Sequence, residues 1–324
     1  MHKYDVLSVC NALVDILVKV TDEELAELNI TKNVMHLVDS SRQREVLHRF
    51  NDRDAHVELG GSAMNATRAL AAMGAKAFFV GMIGRDDFGK QIKSRMSALG
   101  INSRVEEADE STGSCAVLIT PDGERTMNTC LGASSMYDAD IIPHQHIKES
   151  KILHFTGYQW STPHQKAAIK SAMKTASASG TLVSFDVADP FMVQSCGPEF
   201  LDTIKDHADI VFANAEEARQ LFGTTPEQAA DKIAEFGAIA VIKLGAKGAI
   251  VVSGRDRFEI APVKTTVVDT TAAGDMFAGG FLYGLAQGKN LATCGKIAAT
   301  LASDVISRIG AILSDEAIIR ARKI

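Results

Sequence analysis

The residues best suited to do chemistry lie in Val268-Asp269-Thr270-Thr271-Ala272-Ala273-Gly274-Asp275. Small residues at Ala272, Ala273 and Gly274 let a chain leave a strand sharply and begin a helix with its first N–H groups bare. Bare amides at the positive end of a helix dipole form an anion hole. Asp275 then places an acid in the same first turn as the bound anion. It reads either as a favourable N-terminal helix residue or as a base. As a base it takes the proton of a substrate hydroxyl, while the amides of Ala272, Ala273 and Gly274 steady charge on a transferred phosphoryl group.

A second segment, Gly60-Gly61-Ser62-Ala63-Met64-Asn65, opens another helix. Paired glycines let backbone approach a ligand closely, and Asn65 offers a donor and an acceptor to vicinal hydroxyls. Alone, this segment reads equally well as a tight turn.

Short β-branched runs and amphipathic segments alternate along the chain and must position these two segments. Strands are expected at Asp5–Val9, Ala77–Val80, Ile152–Phe155, Leu182–Phe185, Ile210–Phe212 and Ala240–Leu244. Helices are expected at Ser62–Met73, Phe88–Leu99, Pro163–Ala178, Pro226–Phe236, Gly274–Gln287 and Leu291–Ser307. The later strands are continuously apolar, as in a parallel sheet covered by helices on both faces. The fold class is α/β, a doubly wound sheet in a single domain over residues 1–324. Two stretches break the rhythm, residues 12–37 and 114–128, the second around the turn Pro121-Asp122-Gly123. They predict a small antiparallel β lid over a site at the strand ends.

Composition excludes several classes. The net charge of −6 gives no basic surface for nucleic acid. No apolar run approaches the ~20 residues of a membrane span, and the N-terminus has no signal-peptide core, so the expected location is the cytoplasm. Five scattered cysteines without a CxxC pair fit a reducing compartment. No Gly-x-Gly-x-x-Gly follows the first strand, which removes the main support for a dinucleotide-dependent oxidoreductase. Gly84–Gln91 nearly spells a P-loop, but Gln91 stands where Mg²⁺ needs a hydroxyl, and Asp86 and Asp87 would repel phosphate.

The two site segments together resemble the signatures of the ribokinase-like (PfkB) carbohydrate and nucleoside kinase family over essentially the whole chain. Gly60, Gly61, Asn65, Gly74 and Gly84 carry the first signature; Asp269 through Asp275 carry the second, with Ala272 where many members have glycine. The resemblance implies ATP, Mg²⁺ and a sugar or nucleoside acceptor. It implies acceptor binding by Asn11, Asp15, Gly61, Ser62 and Asn65, with Arg125 on the lid reaching a phosphate. It implies nucleotide contacts at Asn214, Glu217, Lys243, Gly245 and Gly248, Glu217 acting on Mg²⁺ through water. Asp269, Thr271 and Ser314 are implied ligands of a monovalent cation, K⁺, beside the anion hole. Out of that context, Asn214-Ala215-Glu216-Glu217 is an ordinary helix start, and Arg125 a solvated arginine.

Secondary resemblances at Glu124–Asn128, Gly157–Trp160 and Cys294–Lys296 favour adenosine kinase-like members, and Met35, Leu37, Met127 and Leu131 offer an apolar slot for a purine. The alternatives are a ribokinase- or fructokinase-type sugar kinase and a non-catalytic sugar or nucleotide sensor. A monomer or homodimer is expected.

Overall fold

The apolar runs expected as strands are buried on both faces, and the first of them is buried at every position. The computed structural model describes residues 2–324. In chain order its strands are β1 (Tyr4–Val9), β2 (Leu13–Lys19), β3 (Met35–Leu37), β4 (His56–Gly60), β5 (Ala77–Gly84), β6 (Asn102–Ala108), β7 (Gly113–Ile119), β8 (Arg125–Cys130), β9 (Ser150–Thr156), β10 (Leu182–Asp186), β11 (Ile210–Asn214), β12 (Ile239–Lys243), β13 (Ala249–Ser253) and β14 (Asp256–Ile260).

Nine of them form one sheet in the order β14-β13-β12-β11-β10-β9-β1-β5-β6. Pairing is parallel from β12 through to β6, and β13 and β14 extend it antiparallel. The chain runs outward from β1 on one side through β5 and β6, then returns to its other side with β9. That reversal opens a crevice at the carboxyl ends of the central strands, where open α/β sheets bind ligands.

The second sheet has the order β3-β8-β7-β2-β4. It takes in strands from both irregular stretches and adds β4. The β7–β8 hairpin turns at Pro121-Asp122-Gly123, as its residues require, with Gly123 at φ 84°. The sheet is mixed, however, and not antiparallel as expected. β2 pairs with β7 in parallel, as β3 does with β8. Strands so far apart in the chain return by long crossovers, which permit parallel pairing where a hairpin does not.

The expected helices form with ends shifted by a residue or so: Ser62–Ala72, Asp87–Ala98, Pro163–Ser179, Pro226–Glu235, Ala273–Ala286 and Leu291–Val305. Their caps follow the sequence. Thr162 accepts from the Gln165 amide ahead of Pro163, and Gly180 closes that helix at φ 73°. Helices Ser40–Arg49 and Pro190–Asp206, and strands β4 and β6, were not expected. β6 is half-exposed and charged (Asn-Ser-Arg-Val-Glu-Glu-Ala), an edge strand without the apolar run that identifies a central one.

Helix Ala273–Ala286 is buried along most of its length, and glycines let its neighbours come close. A Cβ on Gly279 would lie 2.6 Å from the Ala66 carbonyl oxygen and 2.7 Å from the Ala69 methyl. One on Gly280 would lie 2.9 Å from Cα of Ala298. Gly279 therefore fixes how near helix Ser62–Ala72 stands, and Gly280 how near Leu291–Val305. Gly279→Val should overpack this contact and cost about 1–3 kcal/mol. Gly197→Ala, whose new methyl meets no residue beyond its own turn of helix nearer than 3.7 Å, should instead cost less than about 1 kcal/mol, the gain over glycine being opposed by the ring of the following Pro198. Urea midpoints of the two variants check both magnitudes.

Candidate active site

Close packing of these helices brings their N-terminal turns face to face. Ser62 Oγ donates to Asp275 at 2.5 Å and Asn65 Nδ2 donates to its other oxygen at 2.9 Å. Arg68, one turn beyond Asn65, donates to Asn65 Oδ1 at 3.1 Å and so turns the amide's NH₂ toward the carboxylate. Burial pushes the Asp275 carboxyl above the ordinary carboxylate range, and the bonds from Ser62 and Asn65 hold that rise back.

Asp275 lies on the wall of a cavity of about 900 Å³. Residues following β1, β9 and β10 form one side, including Asn11, Tyr158, Trp160 and Ala188, and the second sheet supplies Asp15, Met35, Arg125 and Met127. Of the residues singled out from sequence, Asn11, Asp15, Gly61, Ser62, Asn65, Arg125, Asp269, Thr271, Ala272 and Asp275 line it. Ala273, Gly274, Asn214, Glu217, Lys243, Gly245, Gly248 and Ser314 are not among the lining residues.

The turn ahead of Asp275 is strained. Ala272 sits at φ 59°, ψ 7°, and no side chain caps the helix it begins. Ala188, also on the cavity wall, has φ 77°. For an alanine this left-handed conformation costs roughly 1–2 kcal/mol, and such strain gathers at functional sites. Of the three amides expected in the anion hole, that of Ala273 makes a long 3.3 Å bond to the Thr270 carbonyl.

Gly61 is required at its place, since φ is 97° and a Cβ would meet the Asn11 carbonyl at 2.4 Å. Gly60 serves a carboxylate: a Cβ there would lie 2.1 Å from Asp15 Oδ1. Asp15 is pushed up to about 7 by burial first, then by Glu58 and Asp275, against the opposing Arg68 and Arg125. Asn11 accepts from Gln165 Nε2 at 2.5 Å.

The residues expected at the nucleotide gather behind the Asp275 turn, at the carboxyl ends of β11 and β12. Asn214 and Glu217 form a reciprocal cap: Asn214 Oδ1 accepts from the Glu217 amide at 2.9 Å, and both Glu217 oxygens accept from Asn214. The ordinary helix-start reading of this motif is thus realised in the geometry. Burial raises Glu217 to about 7, with Lys243 opposing and Asp186 adding to the rise. Lys243 Nζ sits 3.1 Å from Asp186 Oδ2 and against Gly274, where a Cβ would come within 3.1 Å. Burial works against the lysine's charge, but Asp186 and Glu217 outweigh it and its pKa rises. Gly248 is held at φ 88° with space for no Cβ, which would fall 1.9 Å from the Ile260 carbonyl. Gly245 is exposed beside it.

Sequence reasoning missed Asp186, Glu58 and Arg68. Arg68 was accessible, being three residues after Asn65 on the same helix face. Asp186 and Glu58 end strands or sit within them, with no motif to mark them.

The expected cation ligands do not converge. Ser314 donates to Asp304 at 2.7 Å and caps helix Asp315–Arg322. Asp269 accepts from the amides of Thr271 at 2.9 Å and Gly310 at 3.0 Å, and Arg125 forms an ion pair with it. These oxygens face N–H donors, so the residues present do not fit a bound K⁺ in this conformation.

This fold, a crevice at the sheet's reversal with an acid at an uncapped helix start, is that of a small-molecule kinase. The pattern of pfkB family carbohydrate kinases matches residues 16–318, and the chain belongs to that family. Its structure resembles a probable sugar kinase from Rhizobium etli (TM-score 0.93, 35% identity, covering 100% of this chain and 99% of that one). It equally resembles the adenosine kinase from Sinorhizobium meliloti (TM-score 0.92, 33% identity, covering 99% of each). The adenosine kinase of Saccharomyces cerevisiae is 27% identical over 93% of this chain and 94% of its own length. The chain is a sugar or nucleoside kinase, and its family implies ATP as phosphoryl donor and typically Mg²⁺. No helix among the described residues is long and apolar enough to cross a membrane.

The raised Asp15 carboxyl has a consequence for the free protein. An unfolded aspartate ionises near 3.9, well below the folded value of about 7. The unfolded state therefore releases its proton first as pH rises, and stability is lost across that interval. Asp15→Asn should gain on the wild type as pH rises from about 4 to about 7 and hold a level advantage above it. Thermal unfolding of both proteins across that range is the check.

Proposed function

We propose that this chain transfers the γ-phosphoryl group of ATP to the hydroxymethyl group of adenosine, in the cytoplasm. The observation that carries the reading is the Asp275 carboxylate, set on the cavity wall at the start of a helix with no side-chain cap. Its raised pKa makes it a better proton acceptor. In this reading the acceptor hydroxyl donates to Asp275 alongside Ser62 and Asn65, which keep the carboxylate aimed. The amides of Ala272 and Gly274, with that of Ala273 turning from Thr270, hold the transferred group. Asp15 accepts from the ribose hydroxyls beside Gly61 and Asn11, and Arg125 closes the second sheet over them as a lid.

Mg²⁺ would neutralise the phosphate chain. The carboxylate and amide oxygens of Glu217 and Asn214 suit it, and because both Glu217 oxygens already accept hydrogen bonds they would hold it through water. Lys243 would meet nucleotide phosphate from behind the turn, between the exposed Gly245 loop and Gly274.

Support for a purine comes from the lid side. Met35, Leu37, Met127 and Leu131 all line the cavity, facing Trp160 and Phe191 around the same space. A purine needs such an apolar slot beyond its ribose, whereas a free sugar would leave it dry and unfilled. The resemblance to two adenosine kinases agrees. The higher identity of the R. etli protein favours a sugar acceptor as the second reading.

ATP consumption with adenosine, ribose and fructose tests the choice. Adenosine should give the largest kcat/KM; a tenfold preference for either sugar, about 1.4 kcal/mol of transition-state discrimination, would remove the purine slot. Asp275→Asn should keep the fold and both substrates' binding while lowering kcat by roughly 10²–10⁴-fold. An undiminished kcat would leave Asp275 a helix residue only.

A further inference from the structure

Asp269, which begins the strained turn, is buried and surrounded by donors from three parts of the chain. Its Oδ1 accepts from the Thr271 amide at 2.9 Å and its Oδ2 from the Gly310 amide at 3.0 Å. Arg125 of β8 adds an ion pair to Oδ2, and its Nη1 donates to Thr271 Oγ1 at 2.6 Å. The guanidinium thus spans Asp269 and Thr271, two of the three residues expected to hold a monovalent cation. The same loop is tied to the second sheet again, since the Ala311 amide donates to Glu58 of β4 at 3.0 Å.

We propose that Arg125 is the resident cation of this turn, standing where K⁺ was expected and making K⁺ dispensable. A bound metal cation needs oxygen lone pairs aimed at one point. Here those lone pairs already meet N–H groups and a planar guanidinium, which remains charged at any working pH and engages two partners at once. A K⁺ ion is supplied by the solvent whatever the lid does, but Arg125 reaches Asp269 only with the second sheet lowered. The turn that begins three residues later is therefore braced when the cavity is covered and loosened when it opens. The role in turnover rests on the kinase reading; the cation's identity does not.

The test compares wild type, Arg125→Met and Arg125→Lys in potassium chloride and in tetramethylammonium chloride of equal ionic strength, by thermal unfolding and by turnover. Wild type should show the same Tm and the same rate in both salts. Arg125→Met should melt lower in tetramethylammonium, recover part of that loss with K⁺, and turn over roughly 10²-fold more slowly. Potassium or non-denaturing guanidinium should restore part of its rate. Arg125→Lys, which keeps the charge without the fork, should fall between. A K⁺-specific rise in wild-type Tm overturns the proposal, as does an Arg125→Met protein indifferent to both K⁺ and guanidinium. If Arg125→Met does not fold, Arg125→Lys and the wild-type salt comparison decide. A wild type without kinase activity would remove the reaction assigned above, while its melting in the two salts still tests the arginine.

Discussion

Two helix N-termini pressed together carry most of what this site does. Helix Ala273–Ala286 brings Asp275, helix Ser62–Ala72 brings Ser62 and Asn65, and Gly279 sets the distance between them. Positive helix ends repel one another, and an anion between them offsets that repulsion. Asp275 is that anion. The acid that a hydroxyl would meet is the same group that makes the two helix starts compatible, and Arg68 completes the arrangement by fixing which way the Asn65 amide points.

Charge is arranged in two layers around this contact. On the cavity side of the contact Asp15, Glu58 and Asp275 face Arg68 and Arg125. Behind the Asp275 turn Asp186 and Glu217 face Lys243. Burial lifts Asp15 and Glu217 to about 7, and in each layer a neighbouring carboxylate adds to the rise while the bases oppose it. The arrangement suits ligands that bring donors and cations: hydroxyls to one layer, a magnesium–phosphate assembly to the other.

Much of this was legible in the sequence because it is local. Central strands announce themselves by unbroken apolar runs, helices by caps such as Thr162 and Asn214, and the turns at Gly61 and Ala272 by small residues. The mixed pairing of the second sheet was not legible, since parallel pairing of β2 with β7 depends on where a distant crossover returns the chain. The edge strand β6 carries no apolar signature. Asp186 and Glu58 gain their meaning only from partners far away in sequence, Lys243 and Ala311. Ser314 misled for the reverse reason: its hydroxyl is consumed by the nearer demand of a helix start.

The two left-handed alanines on the cavity wall bear on how this enzyme has room to change. An alanine codon is one base from glycine, serine, threonine, proline, valine and, according to its third base, aspartate or glutamate. Backbone at φ 59° and 77° is closed to proline and hostile to the β-branched choices. Aspartate tolerates the conformation better than most, but at position 272 it would bring a second negative charge to the cavity wall beside Asp275. Glycine is the one neighbour that relieves the strain without altering the charge. Relief of strain at Ala272 therefore lies in a single direction, toward a looser turn.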